Sequence, residues 1–260
     1  FPAAGIAGAA IASSVSEAVS LLFFIIYTSM TADKRKYGFR RAFTLRPHLL
    51  KGMLSISGWT MVQSFISVSI WFIFFLAIEH LGERPLAVTN IVRNISALLI
   101  MVISAFATTA GALISNQIGA GEQRCLFKTC GMTLKLTYAI LIPLLIILCL
   151  FPESVLRAFT DSPSLIAASV NSVYVMASST LIMAPSFILF NAVSGTGNTR
   201  AGFIMEMISL AVYTAVIYYG IIRLKPDVAL CWFSEHVYGV TLIFLAWWYL
   251  KSGKWRGKKV

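Results

Sequence analysis

The chain is 260 residues long, 58% hydrophobic and only 12% charged, with a mean hydropathy of +0.82 and a formal net charge of +11. Soluble domains carry roughly 45–50% apolar and 25% charged residues, so this composition excludes an ordinary soluble protein and identifies a polytopic membrane protein. The basic residues cluster in particular loops, the pattern that orients a chain in a lipid bilayer rather than one that binds nucleic acid.

A spanning helix needs about 20 mostly apolar residues. Seven runs qualify, at about 5–30, 53–79, 86–114, 130–151, 166–194, 201–223 and 229–250. A closed barrel needs alternating strands of about ten residues, whereas these runs are continuous and longer. The predicted fold is therefore all-α, with seven transmembrane helices.

The first run begins "FPAAGIAG", without an initiator Met or a basic n-region, and reads as the middle of something longer. Glu17 lies among small residues in "SSVSEAVS", which suits close helix packing with an interhelical hydrogen bond. The linker that follows carries Lys34, Arg35, Lys36, Arg40, Arg41, Arg46 and Lys51, and the tail carries Lys251, Lys254, Arg256, Lys258 and Lys259. Both belong in the cytoplasm by charge bias. Alternation then puts the turns at Arg124 and Arg200 inside, those at Arg84, Arg157 and Arg223 outside, and residue 1 outside. In "AFTLRPHLLKGMLSISG" basic residues interleave with Phe43, Leu45, Leu49, Leu50 and Leu54, the spacing of a short helix in the headgroup layer or of a solvated loop.

A charge at mid-bilayer costs about 2.5–3.5 kcal/mol on insertion scales, so polar residues inside the spans are the candidate site. In the second span Trp59, Gln63 and Ser67 recur at i, i+4 and i+8, with Trp71 continuing the stripe. Such a stripe faces protein or water, where its aromatic faces attract cations, unless Trp59 and Trp71 face lipid at the membrane interface. In the third, Asn90, Arg93 and Asn94 share one face and either line a cavity or pair with a carboxylate across it. In the fifth, Asn171 and Asn191 accompany Pro185, which removes a helix hydrogen bond and frees a carbonyl; Pro143 does the same in the fourth. Glu206 lies about one turn into the sixth span, on the face of Tyr213, placed to hold a proton, pair with a cationic substrate or lock helices as an ion pair. Glu235 and His236 lie about two turns inside the last span and together could titrate between about pH 5 and 8. No zinc spacing joins Cys125, Cys130, Cys149 and Cys231, and they read as small hydrophobes. No paired Asp, Ser-Lys or His-Glu-x-x-His constellation stands in the spans, so neither an enzyme nor a metal centre is expected.

The polar break "SNQIGAGE", Ser115 to Glu122, invites comparison with a phosphate-cradling loop, but such a loop needs a strand before it and this one has a membrane span on each side. Together with "LAVTNIVRNISALL" just upstream, with "GIAGAAIASSVSEA" (Gly5 to Ala18) and with "FNAVSGTGNTRAG" (Phe190 to Gly202), it falls at the spacing of the multidrug and toxic compound extrusion (MATE) transporters. The chain resembles the second half of such a transporter. The resemblance implies two six-helix lobes with a substrate cavity between them, and efflux driven by sodium or protons without any other cofactor. On it, residues 1–30 are the last helix of an N-terminal lobe missing here, 31–52 a basic cytoplasmic linker, 53–250 a six-helix C-terminal lobe and 251–260 a basic tail.

The implied substrate is an amphiphilic, cationic small molecule, and the implied location a bacterial inner membrane. Some family members carry coupling acids in the helices that match 53–79 and 166–194; here those helices run "SISGWTMVQSFISVSIWFIFF" and "VYVMASSTLIMAPSFILFNAV", with no acid inside these stretches. Either the ion site lies in the other lobe, or Glu206 or Glu235 has taken over. A flippase for lipid-linked saccharides, from the same superfamily, would instead line its cavity with cationic side chains. A self-contained seven-helix receptor is the remaining alternative.

Overall fold

The computed structural model describes residues 5–31, 47–253 and 255. The basic stretch 32–46 and the lysines and arginine of 254 and 256–260 lie outside the described residues. The described elements are all helical: α1 (Gly5–Thr31), α2 (Pro47–Glu79), α3 (Glu83–Gly119), α4 (Leu126–Leu150), α5 (Pro152–Leu156), α6 (Pro163–Gly195), α7 (Thr199–Val216), α8 (Val228–Cys231) and α9 (Ser234–Ser252). Among the described residues seven stretches are long and apolar enough to cross a membrane, and each overlaps one predicted run.

Two compact units are distinguished, Phe1–Gly52 and Met53–Val260. In the first, α1 is a 27-residue helix about 40 Å long, exposed along the apolar stretch that makes it a candidate span. Glu17 is exposed there. Of the stretch expected in the headgroup layer, residues 42–46 lie outside the described residues and the remainder from Pro47 belongs to α2. α2 starts at Pro47, a residue suited to the first turn of a helix because its missing N–H has no partner there, and continues unbroken to Glu79.

The second unit is built around α3 and α6, which pack together along their length and gather α4, α7 and α9 around them. Lipid is as apolar as a protein core, so membrane helices associate through close backbone approach rather than through hydrophobic burial. Buried Ala107, Ala110 and Ser96 of α3 and Ala177, Ala184 and Ala192 of α6 are small enough to allow it. The approach is tightest near Gly111 and Gly195, where a methyl group on Gly195 would meet the Gly111 carbonyl oxygen at 2.5 Å.

Glycine also makes the turns at that end of the bundle. Gly121 (φ +83°) and Gly197 (φ +78°) adopt the left-handed conformation that other residues rarely take. After Gly121 a single 3-10 turn, Gln123–Cys125, leads into α4. After Gly197 the Asn198 side chain accepts the Ala201 N–H and caps α7. The break at Gly119–Gly121 is thus a tight turn between two spans.

Neither internal proline interrupts its helix, since α4 runs through Pro143 and α6 through Pro185. The carbonyl that Pro185 leaves without a helical partner is that of Leu181, and it accepts the Tyr138 hydroxyl of α4 at 2.7 Å. The proline therefore contributes a helix–helix bond rather than a free carbonyl at a site. Beyond Val216, α7 widens into a π-helical segment, Ile217–Arg223. Within this unit α2 is anchored towards its C-terminal end, where Phe74, Ala77 and Ile78 are buried against Tyr213, Ile217 and Ile221.

Candidate functional site

Just before that anchorage a cavity of ≈ 350 Å³ opens beside Ser67 and Trp71 of α2 and Glu206 and Tyr213 of α7, closed on other sides by Met183 and Phe187 of α6 and by Glu235 and Tyr238 of α9. Helical spacing explains the lining. Glu206 and Tyr213 are seven residues apart, and Glu235 and Tyr238 three apart, so each pair shares one face of its helix. The neighbours α7 and α9 turn these faces towards the same space.

The two pairs are exchanged between helices. Tyr238 donates its hydroxyl to Glu206, at 2.9 Å from Oε1 and 3.1 Å from Oε2. Tyr213 donates to Glu235 Oε1 at 2.6 Å, the short length of a hydroxyl bonded to a carboxylate. The rings of Tyr213 and Tyr238 meet edge to face, with centroids 5.8 Å apart. Ser67 adds a third donor to Glu206 from α2, at 2.8 Å from Oε1. Glu206 is only 3% exposed and Glu235 only 9%. No lining residue is cationic, and among the described residues the partners of the two carboxylates are hydroxyls.

The other sequence candidates divide sharply. Of the stripe on α2, Ser67 and Trp71 line the cavity. Gln63 is half-buried and enters through its backbone, whose carbonyl lies 3.0 Å from Ser67 Oγ. Trp59 is 41% exposed and packs against Phe203, with the Arg200 guanidinium 6.0 Å above its ring. A stripe at i, i+4 and i+8 drifts around a 3.6-residue helix, so its ends do not meet the same partner.

Asn90, Arg93 and Asn94 share a face, but not that of the cavity. Asn90 donates to the Leu86 carbonyl of its own helix, Asn94 is exposed, and the Arg93 guanidinium sits 5.2 Å from the centre of the Phe75 ring instead of on a carboxylate. Asn191 bonds the Phe187 carbonyl on its own helix and its backbone lies at the α3–α6 crossing, 2.9 Å from where a methyl group on Gly111 would stand. Asn171 is exposed. Glu235 and His236 are neighbours in sequence but not in space: the imidazole faces Ser178 of α6, with Nε2 2.9 Å from its hydroxyl, and stacks on Phe233. Successive helical residues are about 100° apart, which separates the two groups. All four cysteines are free.

Tyr238 carries a signal in the sequence. It stands three residues after an intramembrane acid, as Tyr213 stands seven after another. Met183, Phe187 and Ile100 had none, because apolar residues in an apolar helix do not show which of them faces a cavity.

A protein-family model described as MatE matches residues 60–219. The chain is 23% identical over 222 residues to the uncharacterized transporter YisQ of Bacillus subtilis (strain 168), across 81% of this chain and 46% of that protein. It is 24% identical over 277 aligned positions to the probable multidrug resistance protein NorM of Thermotoga maritima, across 100% of this chain and 56% of that protein. The fold matches the crystal structure of the Vibrio cholerae MATE transporter VcmN in its bent form with a TM-score of 0.72 at 15% identity, covering 80% of this chain and 48% of that one. The chain spans about half the length of the curated relatives it matches.

Proposed function

Because the chain belongs to the MatE family of multidrug and toxic compound extrusion transporters, we propose that it forms one lobe of a secondary active efflux transporter. That transporter exchanges amphiphilic, cationic organic compounds for a proton or a sodium ion. The observation that carries this reading is the buried pair Glu206 and Glu235 in a cavity without a lining cation. An ionised carboxylate in a dry environment is costly without a positive partner. The site therefore favours whichever positive species reaches it, and a coupling ion and a cationic substrate that compete for it are exchanged. The faces of Trp71 and Phe187 add an apolar, cation-attracting wall.

The same lining separates this reading from a saccharide-lipid flippase, for which cationic side chains would have to meet phosphate. With no acid in the helices 53–79 and 166–194 up to Ile78 and Gly195, Glu206 and Glu235 are the groups placed for coupling in this lobe. The lobe comprises residues 53–250, completed by an N-terminal lobe whose last helix is 1–30. The protein resides in a bacterial inner membrane with residue 1 external and the basic segments 31–52 and 251–260 cytoplasmic, as their charge requires.

The test is export of a lipophilic cation from the full-length protein in everted membrane vesicles. Glu206→Gln keeps the shape and most hydrogen bonds of the side chain but removes its charge, and is expected to abolish gradient-driven export. Normal export by that variant would remove Glu206 from the mechanism.

A further inference from the structure

Ser67 Oγ lies 2.8 Å from Glu206 Oε1 and 3.0 Å from the carbonyl oxygen of Gln63, one turn earlier on α2. A serine hydroxyl carries one proton to donate and two lone pairs to accept with. It can therefore serve only one of these two acceptors at a time. When Glu206 is ionised, the serine proton points at the carboxylate. When Glu206 takes up a proton on Oε1, its own O–H donates to Ser67 Oγ, and the serine proton turns to the Gln63 carbonyl.

Both arrangements leave every member of the set bonded, and rotation of one hydroxyl converts between them at the same heavy-atom distances. Tyr238 takes no part in the exchange, because the acceptors it reaches are the two oxygens of Glu206 and it donates to them in either state. We propose that Ser67 is a positioning residue that makes Glu206 a proton site, a reading that rests on the transport function proposed above. The proton comes from water that reaches the cavity and returns to water; Ser67 neither gains nor loses one.

The toggle also reports to α2. A serine hydroxyl bonded to the carbonyl four residues back loosens and bends a helix, so protonation of Glu206 changes α2 one turn at Gln63–Ser67. That turn lies before the Phe74–Ile78 anchorage, in the part of α2 whose side chains are mostly exposed. The titratable groups facing Glu206 are Tyr238 and Glu235 from α9 and Tyr213 from its own helix, while α2, α3 and α6 bring none to the cavity.

The experiment compares Ser67→Ala and Ser67→Thr in the full-length protein, reconstituted in proteoliposomes with tetraphenylphosphonium as the transported probe. The pH midpoint of transport is measured, together with the carboxylic C=O stretch in infrared difference spectra. A hydrogen bond to a charged group is stronger than one between neutral groups, and the difference displaces the midpoint in Ser67→Ala by about half a unit to one unit. The carboxylic stretch moves with it, and Ser67→Thr, which keeps the hydroxyl, restores both.

A Ser67→Ala variant with the wild-type midpoint and stretch, even at reduced rate, would overturn the proposal and leave Ser67 a packing residue. So would a dependence on sodium with no dependence on pH. If instead Glu206→Gln transports normally, the transport reading of this cavity fails first, and a separate result identifies that case.

Discussion

Tyr238 of α9 holds Glu206 of α7 by both carboxylate oxygens, at 2.9 and 3.1 Å. Its counterpart Tyr213 of α7 holds Glu235 of α9 at 2.6 Å. Each helix thus supplies an acid and the phenol that secures the other helix's acid. The exchange ties the α7–α9 contact to the charge state of the cavity, because a hydroxyl bonded to a carboxylate is stronger than one bonded to a neutral acid.

The phenols are expected to matter through their hydroxyls and not their rings. Tyr238→Phe keeps the edge-to-face contact with Tyr213 but removes the bonds to Glu206. Loss of a hydrogen bond to a charged group costs about 1.5–3 kcal/mol, so coupled transport should fall roughly ten- to a hundred-fold and thermal stability in detergent should fall as well. Equal transport by Tyr238→Phe and wild type would show that Glu206 does not need this donor.

Because the two acids share a cavity, their variants should not be additive. If Glu206→Gln and Glu235→Gln each abolish coupling, the double variant should be no worse than either alone, as groups that act as one unit behave. A double variant whose loss equals the product of the single losses would indicate independent sites.

The α3–α6 crossing is expected to be the most sensitive point for folding. Gly195→Ala sets a methyl group 2.5 Å from the Gly111 carbonyl oxygen. Overpacking of this kind costs about 1–3 kcal/mol, so the melting temperature in detergent should drop, with cavity ligands still bound by the protein that remains folded. An unchanged melting temperature would mean that the two helices separate easily at that point.

Tyr138→Phe probes the carbonyl freed by Pro185. Interhelical hydrogen bonds in membranes average about 0.6 kcal/mol and reach about 1.7, so a small loss of stability without a change in coupling is expected. The companion change Pro185→Ala restores a helical N–H to Leu181 and should offset much of that loss. A coupling defect in Tyr138→Phe would place this bond in the transport cycle.

Orientation can be read from single cysteines in a background lacking the native four. A membrane-impermeant thiol reagent added outside intact cells should label Leu224→Cys and leave Glu122→Cys unlabelled. The reverse pattern would invert the topology.

The sequence by itself determined the approximate positions of the spans, the polar break at Gly119–Gly121 and the acids Glu206 and Glu235 inside them. These properties are local: twenty apolar residues form a membrane helix whatever stands beside them, and an acid within such a run is conspicuous on its own. Which faces meet was decided only by the tertiary structure. Ser67 and Trp71 line the cavity while Trp59 of the same stripe does not, and Arg93 turns to Phe75 rather than to a carboxylate. The physical reason is that lipid and protein interior are equally apolar, so hydrophobic patterning does not set the rotation of a membrane helix about its axis. That rotation follows from where small residues such as Gly111 and Gly195 let backbones close together, and the pairing of Tyr213 with Glu235 and of Tyr238 with Glu206 exists only once α7 and α9 are side by side.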